Sequence, residues 1–308
     1  MRWHAQRDHE PAAHHTRNLR ASVAVLVAGL SAVAAGACSV TGAVSSGAST
    51  PAGGVSPRIR LSVSAAEGVP SWSPGIPSRP PVASQHRVPA GTGIDRTITF
   101  GRSVHGIALT AVEVGNPHLP AVLVIGCIHG NEPAGIAVVD QLLRTPPGSG
   151  VHVWLVRTLN PDGQHARTRT NADGVDLNRN FAGDWRPLDP AGGLHYAGPR
   201  VLSEPEAMAM TVLLQQIRPS VGIWFHQALD VIDISQGPRP VQDSLAAALG
   251  VGERPLPDYP GSAIGYEDHL LPQSAFAFEL PAGSLSRARA NQIANAILAE
   301  GRRLAGPS

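Results

Sequence analysis

His129-Gly-Asn-Glu132 sets an imidazole and a carboxylate three residues apart at the end of the apolar run 121–128. His226 closes a second apolar run at 221–225, and Glu279 stands inside a third, Phe-Ala-Phe-Glu-Leu-Pro. Arg169, Asn178 and Arg179 fall in a polar stretch between the first two runs. Two His and one Glu are a donor set suited to zinc, with a fourth position left for water. Each residue alone has a plainer explanation. His-x-x-Glu suits a polar loop at a strand end, the arginines suit solvated charge, Asn178-Arg179 could fasten a loop, and Glu279 could be an edge-strand carboxylate. An acid among large apolar neighbours nevertheless needs a reason to be there.

These side chains can meet only if the elements around them form one sheet. Residues 97–100 and 107–114 alternate as two strands joined by a turn around Gly101 and His105-Gly106. The run 121–128 is a central strand, and Ile136, Val139, Leu142 and Leu143 then recur at helical spacing through 133–144, until Pro146-Pro147-Gly148 stops the helix. Residues 151–156 form the next buried strand, which leads to the turn Asn160-Pro-Asp-Gly163. This β-α-β order predicts a parallel sheet, hence an α/β fold. A long polar loop follows at 164–202, and loops of that length inside a domain are usually functional. A capping box of Ser203 and Glu206 opens a helix to about 218. The order then predicts a strand at 221–225, a helix at 241–249, a turn-rich stretch at 252–272, a strand at 275–280 and a terminal helix at 286–304. Ligands of open α/β sheets gather beyond the carboxyl ends of the strands, where His129, Glu132, Arg169, Asn178, Arg179, His226 and Glu279 would converge.

Composition bounds the partners and divides the chain. Of 308 residues 43% are hydrophobic and 15% charged, enough for one large core, but 33 Gly and 28 Pro call for a stretch outside it. The net charge is +1, which supports no nucleic acid or anionic surface as partner. Arg17 and Arg20 precede an uncharged small and apolar run that ends Ala35-Gly36-Ala37 before Cys38. Residues 1–37 are expected to be an export signal, with Cys38 as first mature residue if it is lipidated as a membrane tether. The run is short for the ~20 residues a bilayer span needs. Residues 38–94, rich in Ser, Gly and Pro, are expected to be a flexible linker, and 95–305 the catalytic domain. Cys127 lies in an apolar strand and is expected to be a buried small hydrophobe. His105, His118, His152, His165, His195 and His269 are expected at the surface or in loops.

The motifs carry a resemblance when taken in order. His129-x-x-Glu132, Asn160-Pro-Asp-Gly163, Gly174-Val-Asp-Leu-Asn-Arg-Asn-Phe181, Tyr196-x-Gly198 before Ser203-Glu-Pro-Glu206, His226 and Phe278-Glu279-Leu280 resemble the zinc carboxypeptidase family over roughly 95–304. His226-Gln227, Tyr259-Pro-Gly261 and Glu279-Leu-Pro281 look most like its murein peptide amidase branch, whose members cleave between γ-D-glutamate and diaminopimelate in cell-wall peptides. The resemblance implies a single domain with a mixed, largely parallel sheet and helices on both faces. It implies one zinc ion held by His129, Glu132 and His226, Glu279 as general base, and Arg169 as the group facing the oxyanion, with Arg167 as the alternative. It implies that Asn178 and Arg179 hold a substrate carboxylate, and that Tyr259 closes over the substrate, with Tyr266 nearby.

Three other functions compete on sequence. An N-acyl amino acid deacylase of the aspartoacylase type shares His-Gly-Asn-Glu and Asp-Leu-Asn-Arg. An ordinary carboxypeptidase would act on protein C-termini, with side-chain preference set around residues 262–266. A non-catalytic wall-binding module would require loss of a ligand or the base, and neither is lost.

Overall fold

The computed structural model describes residues 96–145, 148 and 150–306. The expected export signal at 1–37, Cys38 and the linker at 38–94 lie outside the described residues. Strand β1 (Arg96–Arg102) pairs antiparallel with β2 (Ala108–Gly115), Arg96 opposite Glu113, with a register shift between Thr99 and Gly101. The other edge of β2 pairs antiparallel with β4 (His152–Val156), which lies parallel to β3 (Ala121–Ile125). Helix α1 (Ala134–Arg144) makes the crossover between them. Next to β3 comes the long strand β5 (Val221–Asp233), parallel to it. β7 (Ala275–Pro281) runs parallel to β5, and the short β6 (Gly252–Arg254) joins the far end of β5.

The alternation of side chains along the strands makes two cores. Val122, Val124, Val153, Leu155, Ile223 and Phe225 pack against Val138, Val139 and Leu142 of α1. Val241 and Leu245 of α4 (Arg239–Leu249) and Ile293 and Ile297 of α6 (Arg287–Ala305) complete that face. Leu123, Ile125, Trp154, Val156 and Trp224 point the other way, onto Met210, Leu213 and Leu214 of α3 (Pro205–Ile217) and onto Ala263, Ile264 and Tyr266 of α5 (Ala263–Leu270). The sheet is therefore mixed and largely parallel with helices on both faces, as the family resemblance implies.

Several boundaries differ from the sequence expectation for identifiable reasons. The turn at Asn160-Pro-Asp-Gly163 opens a helix, α2 (Pro161–Ala166), whose cap Asn160 accepts a 2.8 Å bond from the Gly163 amide through Oδ1. α3 starts at Pro205 without a side-chain cap, because Ser203 Oγ donates to Glu204 at 2.7 Å and accepts from Asn180 Nδ2 at 2.8 Å. The proline, whose fixed φ suits the first helical turn, sets the boundary instead of a capping box. Strand β5 runs past His226 to Asp233, through an irregular stretch where Asp230 adopts φ 52°. The turn-rich 252–272 contains α5, capped by Ser262 Oγ, which accepts from the Gly265 amide at 3.0 Å. His152 is not a surface residue: it is buried in β4, with Nε2 3.0 Å from Glu113 Oε1 and Nδ1 3.1 Å from the Leu119 carbonyl oxygen. Cys127 is buried, and burial pushes its thiol up to about 12, so it stays a neutral packing group.

Glu267 on α5 concealed that helix from pattern analysis, because it is an acid on the apolar face. It is wholly buried; Trp224 Nε1 donates to its Oε2 at 2.8 Å, while Oε1 has no partner. Burial raises its pKa from 4.5 to about 8, outweighing the bond from Trp224. The folded state thus keeps a proton that the unfolded chain releases above 4.5, so stability falls as pH climbs from 4.5 towards 8. Glu267→Gln keeps an acceptor for Trp224 and has no proton to lose. In melts from pH 4 to 8 the variant should match the parent at the acid end and gain on it with rising pH, by up to about 1.4 kcal/mol per pH unit. Parallel curves would show that Glu267 is neutralised by something other than its own proton.

Candidate metal centre

Three donor atoms converge beyond the end of β3 and beside the middle of β5, where His226 lies. His129 Nδ1 lies 3.0 Å from Glu132 Oε2, His226 Nδ1 lies 3.1 Å from the same oxygen, and the two imidazole nitrogens are 3.2 Å apart. The three residues form the candidate metal group among the described residues, with ligand atoms all within 4.8 Å of one another. Tetrahedral coordination at ~2.0–2.1 Å brings neighbouring donors to about 3.3 Å apart, so the spacing fits zinc. A cation between the three atoms would satisfy all of them at once. The loop that carries His129 and Glu132 lies hard against α2: a Cβ on Gly130 would collide with the backbone of Gly163. Glycine at 130 is what lets the two motifs close on each other.

Glu279 faces this group from β7. Parallel pairing of β5 and β7 puts it directly opposite His226. Its Oε2 is buried without a hydrogen-bond partner, in a wall of the same cavity. Burial pushes its pKa up, the nearby His226 pulls it back and Glu132 adds to the rise, leaving it above the ordinary value.

A second set of donors lines the cavity, which encloses about 270 Å³. The Arg169 guanidinium is braced by Glu132 Oε1 at 3.1 Å and by Asp176 Oδ2 at 3.0 Å. Arg167, its sequence alternative, is exposed at the C-cap of α2 and does not line the cavity. Asn178 and Arg179 belong to a 3-10 turn, Leu177–Arg179, and both are buried. Asn178 Oδ1 accepts from the Ala263 amide at 2.9 Å, and Arg179 donates to the Asn178 carbonyl oxygen at 2.6 Å. The Arg179 Nε is buried with no partner, a donor left over for a ligand. Tyr259 lies over Arg179, 4.0 Å from guanidinium carbon to ring centroid, and lines the cavity. Tyr266 is instead a core residue that packs 6.0 Å from Phe181, its hydroxyl accepting from Gln215. Of the stretch expected to set side-chain preference, Ser262 and Ile264 reach the cavity, which Asp233, Ser235, Gln236 and Leu256 also line. All eight residues singled out in the sequence border this one cavity.

Residues 92–237 match the model of the zinc carboxypeptidase family. The matched residues carry a zinc carboxypeptidase domain. Murein peptide amidase A of Escherichia coli (strain K12) is 31% identical over 145 residues, which is 44% of this chain and 60% of that protein. The chain thus matches less than two thirds of that relative's length. The crystal structure of murein-tripeptide amidase from Escherichia coli O157 has a TM-score of 0.56 at 26% identity, covering 69% of this chain and 93% of that one. Carboxypeptidase A from Helicoverpa armigera shares the fold, with a TM-score of 0.59 at 17% identity over 70% of each chain.

Two residues of the zinc carboxypeptidase domain had no role on sequence. Asp176 is fully buried; its Oδ1 lies 3.0 Å from His129 Nε2, and its Oδ2 accepts from Arg169 Nε at 3.0 Å. It fixes the His129 tautomer with Nδ1 free to bind metal, and holds Arg169 in place. Burial alone would raise Asp176, but His129 and Arg169 hold its carboxyl well below the usual range. The available signal was an acid within Asp-Leu-Asn-Arg, a motif that otherwise supplies substrate contacts. Asp176→Ala should lower zinc affinity by roughly 10- to 100-fold in a chelator competition, and unchanged affinity would leave Asp176 a purely structural buried acid. The second residue is His195, expected in a surface loop, which lines the cavity beside Tyr259. Its signal was faint, a histidine next to Tyr196-x-Gly198.

Proposed function

We propose that this domain is a zinc-dependent hydrolase that cleaves a peptide or amide bond next to a carboxylate-bearing residue, and that its substrate is a cell-wall murein peptide. One observation carries the first part: a three-donor metal group shares its cavity with a carboxylate oxygen, Glu279 Oε2, and a guanidinium nitrogen, Arg179 Nε, both buried without a partner. The similarity to murein peptide amidases supports the second.

Arg179 and Asn178 would take the terminal carboxylate, a planar group that the guanidinium fork matches. Tyr259 would close over it and exclude water. That fixes the scissile carbonyl between the metal group and Arg169, whose positive charge meets the negative charge that develops on the carbonyl oxygen. Zinc, when bound by His129, Glu132 and His226, would lower the pKa of water towards ~7 and polarise the carbonyl. Glu279 would accept the proton of the attacking water and return it to the leaving amine.

We also propose that the chain acts outside the cytoplasm, exported by residues 1–37 and, if Cys38 is lipidated, tethered to the membrane. The support is the charge and side-chain pattern of that segment. Mass spectrometry of the mature N-terminus tests it, a lipid-modified Cys38 marking a tether and an unprocessed Met1 excluding export. The substrate is tested by incubating the zinc-loaded protein with L-Ala-γ-D-Glu-diaminopimelate, acetyl-aspartate and a linear peptide, with mass analysis of the products. Release of free diaminopimelate supports the proposal. Turnover of acetyl-aspartate alone points to a deacylase, and turnover of the linear peptide alone to an ordinary carboxypeptidase.

A further inference from the structure

We propose that His195 is a positioning residue that pins Tyr259 over the carboxylate site. The inference rests on the placement of Tyr259 as the residue that closes over the substrate.

His195 and Tyr259 come from loops far apart in sequence, yet their rings lie 5.6 Å apart between centroids with planes 30° from parallel. That is within the range of offset stacking. The histidine has a second neighbour, Asp176, whose Oδ2 is 3.7 Å from Nδ1. The two contacts differ in weight. At 3.7 Å the nitrogen and the carboxylate are beyond hydrogen-bonding range, and Nδ1 is buried without a partner. The Asp176 oxygen is already taken by Arg169 at 3.0 Å. The ring face, not the nitrogen, therefore makes the contact that counts.

The backbone holds His195 in place on both sides. Its amide donates to Asp189 Oδ2 at 2.8 Å, and the carbonyl of the next residue, Tyr196, accepts from the Asp176 amide at 2.9 Å. The loop therefore presents the imidazole from a fixed point beside the metal group. Tyr259, by contrast, is 39% exposed and has Arg179 as its other ring contact, at 4.0 Å. A substrate carboxylate claims the charge of Arg179, so the stack on His195 is the contact that still orients the tyrosine once substrate is bound. His195 acts through Tyr259 and does not itself touch the reacting atoms.

The test is a double-mutant cycle on the zinc-loaded protein: His195→Ala, Tyr259→Ala, the double variant, and His195→Phe, which keeps a ring and removes both nitrogens. Zinc content and melting temperature are read alongside kcat and KM. His195→Ala should raise KM by about 3- to 10-fold, the scale of one aromatic contact, with kcat changing less. His195→Phe should recover most of that loss. In the Tyr259→Ala background, His195→Ala should add less than about 2-fold. An equal KM penalty with or without Tyr259 would overturn the proposal, as would a His195→Phe variant no better than His195→Ala, or loss of zinc in His195→Ala. A wild-type protein that ignores the murein tripeptide would sink the proposed substrate but not this inference. The cycle is then run on whichever peptide or acyl amino acid is turned over, or on the dissociation constant for diaminopimelate measured by calorimetry.

Discussion

Glu279→Gln should hold the same amount of zinc as the parent protein and turn over substrate about 10²- to 10⁴-fold more slowly, the usual contribution of a positioned general base. The substitution is nearly isosteric and removes only the capacity to accept a proton. Glu279 is not among the converging donor atoms, so the metal should stay. Its buried, unpartnered Oε2 faces the cavity, so no internal bond is lost. The raised pKa, caused first by burial, moves the carboxylate closer to that of a metal-activated water, where proton exchange is efficient in both directions. Measurement of kcat together with zinc per chain decides the matter. An undiminished rate would remove Glu279 from the mechanism.

His226→Ala should fail differently. It removes one of the two imidazoles from a candidate site of three protein ligands, leaving a pair that a chelator should strip easily. The fall in zinc affinity should exceed the roughly 10- to 100-fold that follows loss of a group behind a ligand, and activity should vanish with the metal. Atomic absorption after dialysis, with circular dichroism to verify the fold, reads both effects. A His226→Ala protein that retains a full equivalent of zinc would show that the metal sits elsewhere. The contrast between the two variants, one loaded and inactive and one empty, separates the proton acceptor from the ligands.

Side chains that announce themselves by type were legible in the sequence, and those that work by contact were not. His129, Glu132, His226 and Glu279 stand at the ends of apolar runs or inside them, where a polar group is costly, and their ordered spacing did the rest. The β-α-β order likewise follows from simple periodicity. Asp176 was hidden because a motif already assigned to substrate contacts contained it, and its function depends on a neighbour 47 residues away in the chain, His129. His195 depends on a ring contact with Tyr259 that no local pattern encodes. α5 was hidden by Glu267, since a carboxyl that stays neutral through burial looks like a surface residue on paper. The continuation of β5 past His226 was lost because residues 228–230 face solvent and the strand is irregular at Asp230.

The register that sets His226 against Glu279 divides the site into a half fixed by geometry and an adjustable half. In the proposed mechanism His226 and Glu279 work from two neighbouring strands whose backbone bonds cannot slip by one residue without exchanging the faces of every core residue, and His129 and Glu132 follow the adjacent β3. Recognition, as proposed, would depend on turns carrying Asn178, Arg179, His195 and Tyr259, which can lengthen or change side chains while the sheet stays as it is. Such a layout allows new substrates to be acquired by loop replacement at constant chemistry. Grafting the loops around His195 and Tyr259 onto a related scaffold should therefore move preference without moving the intrinsic rate of bond cleavage.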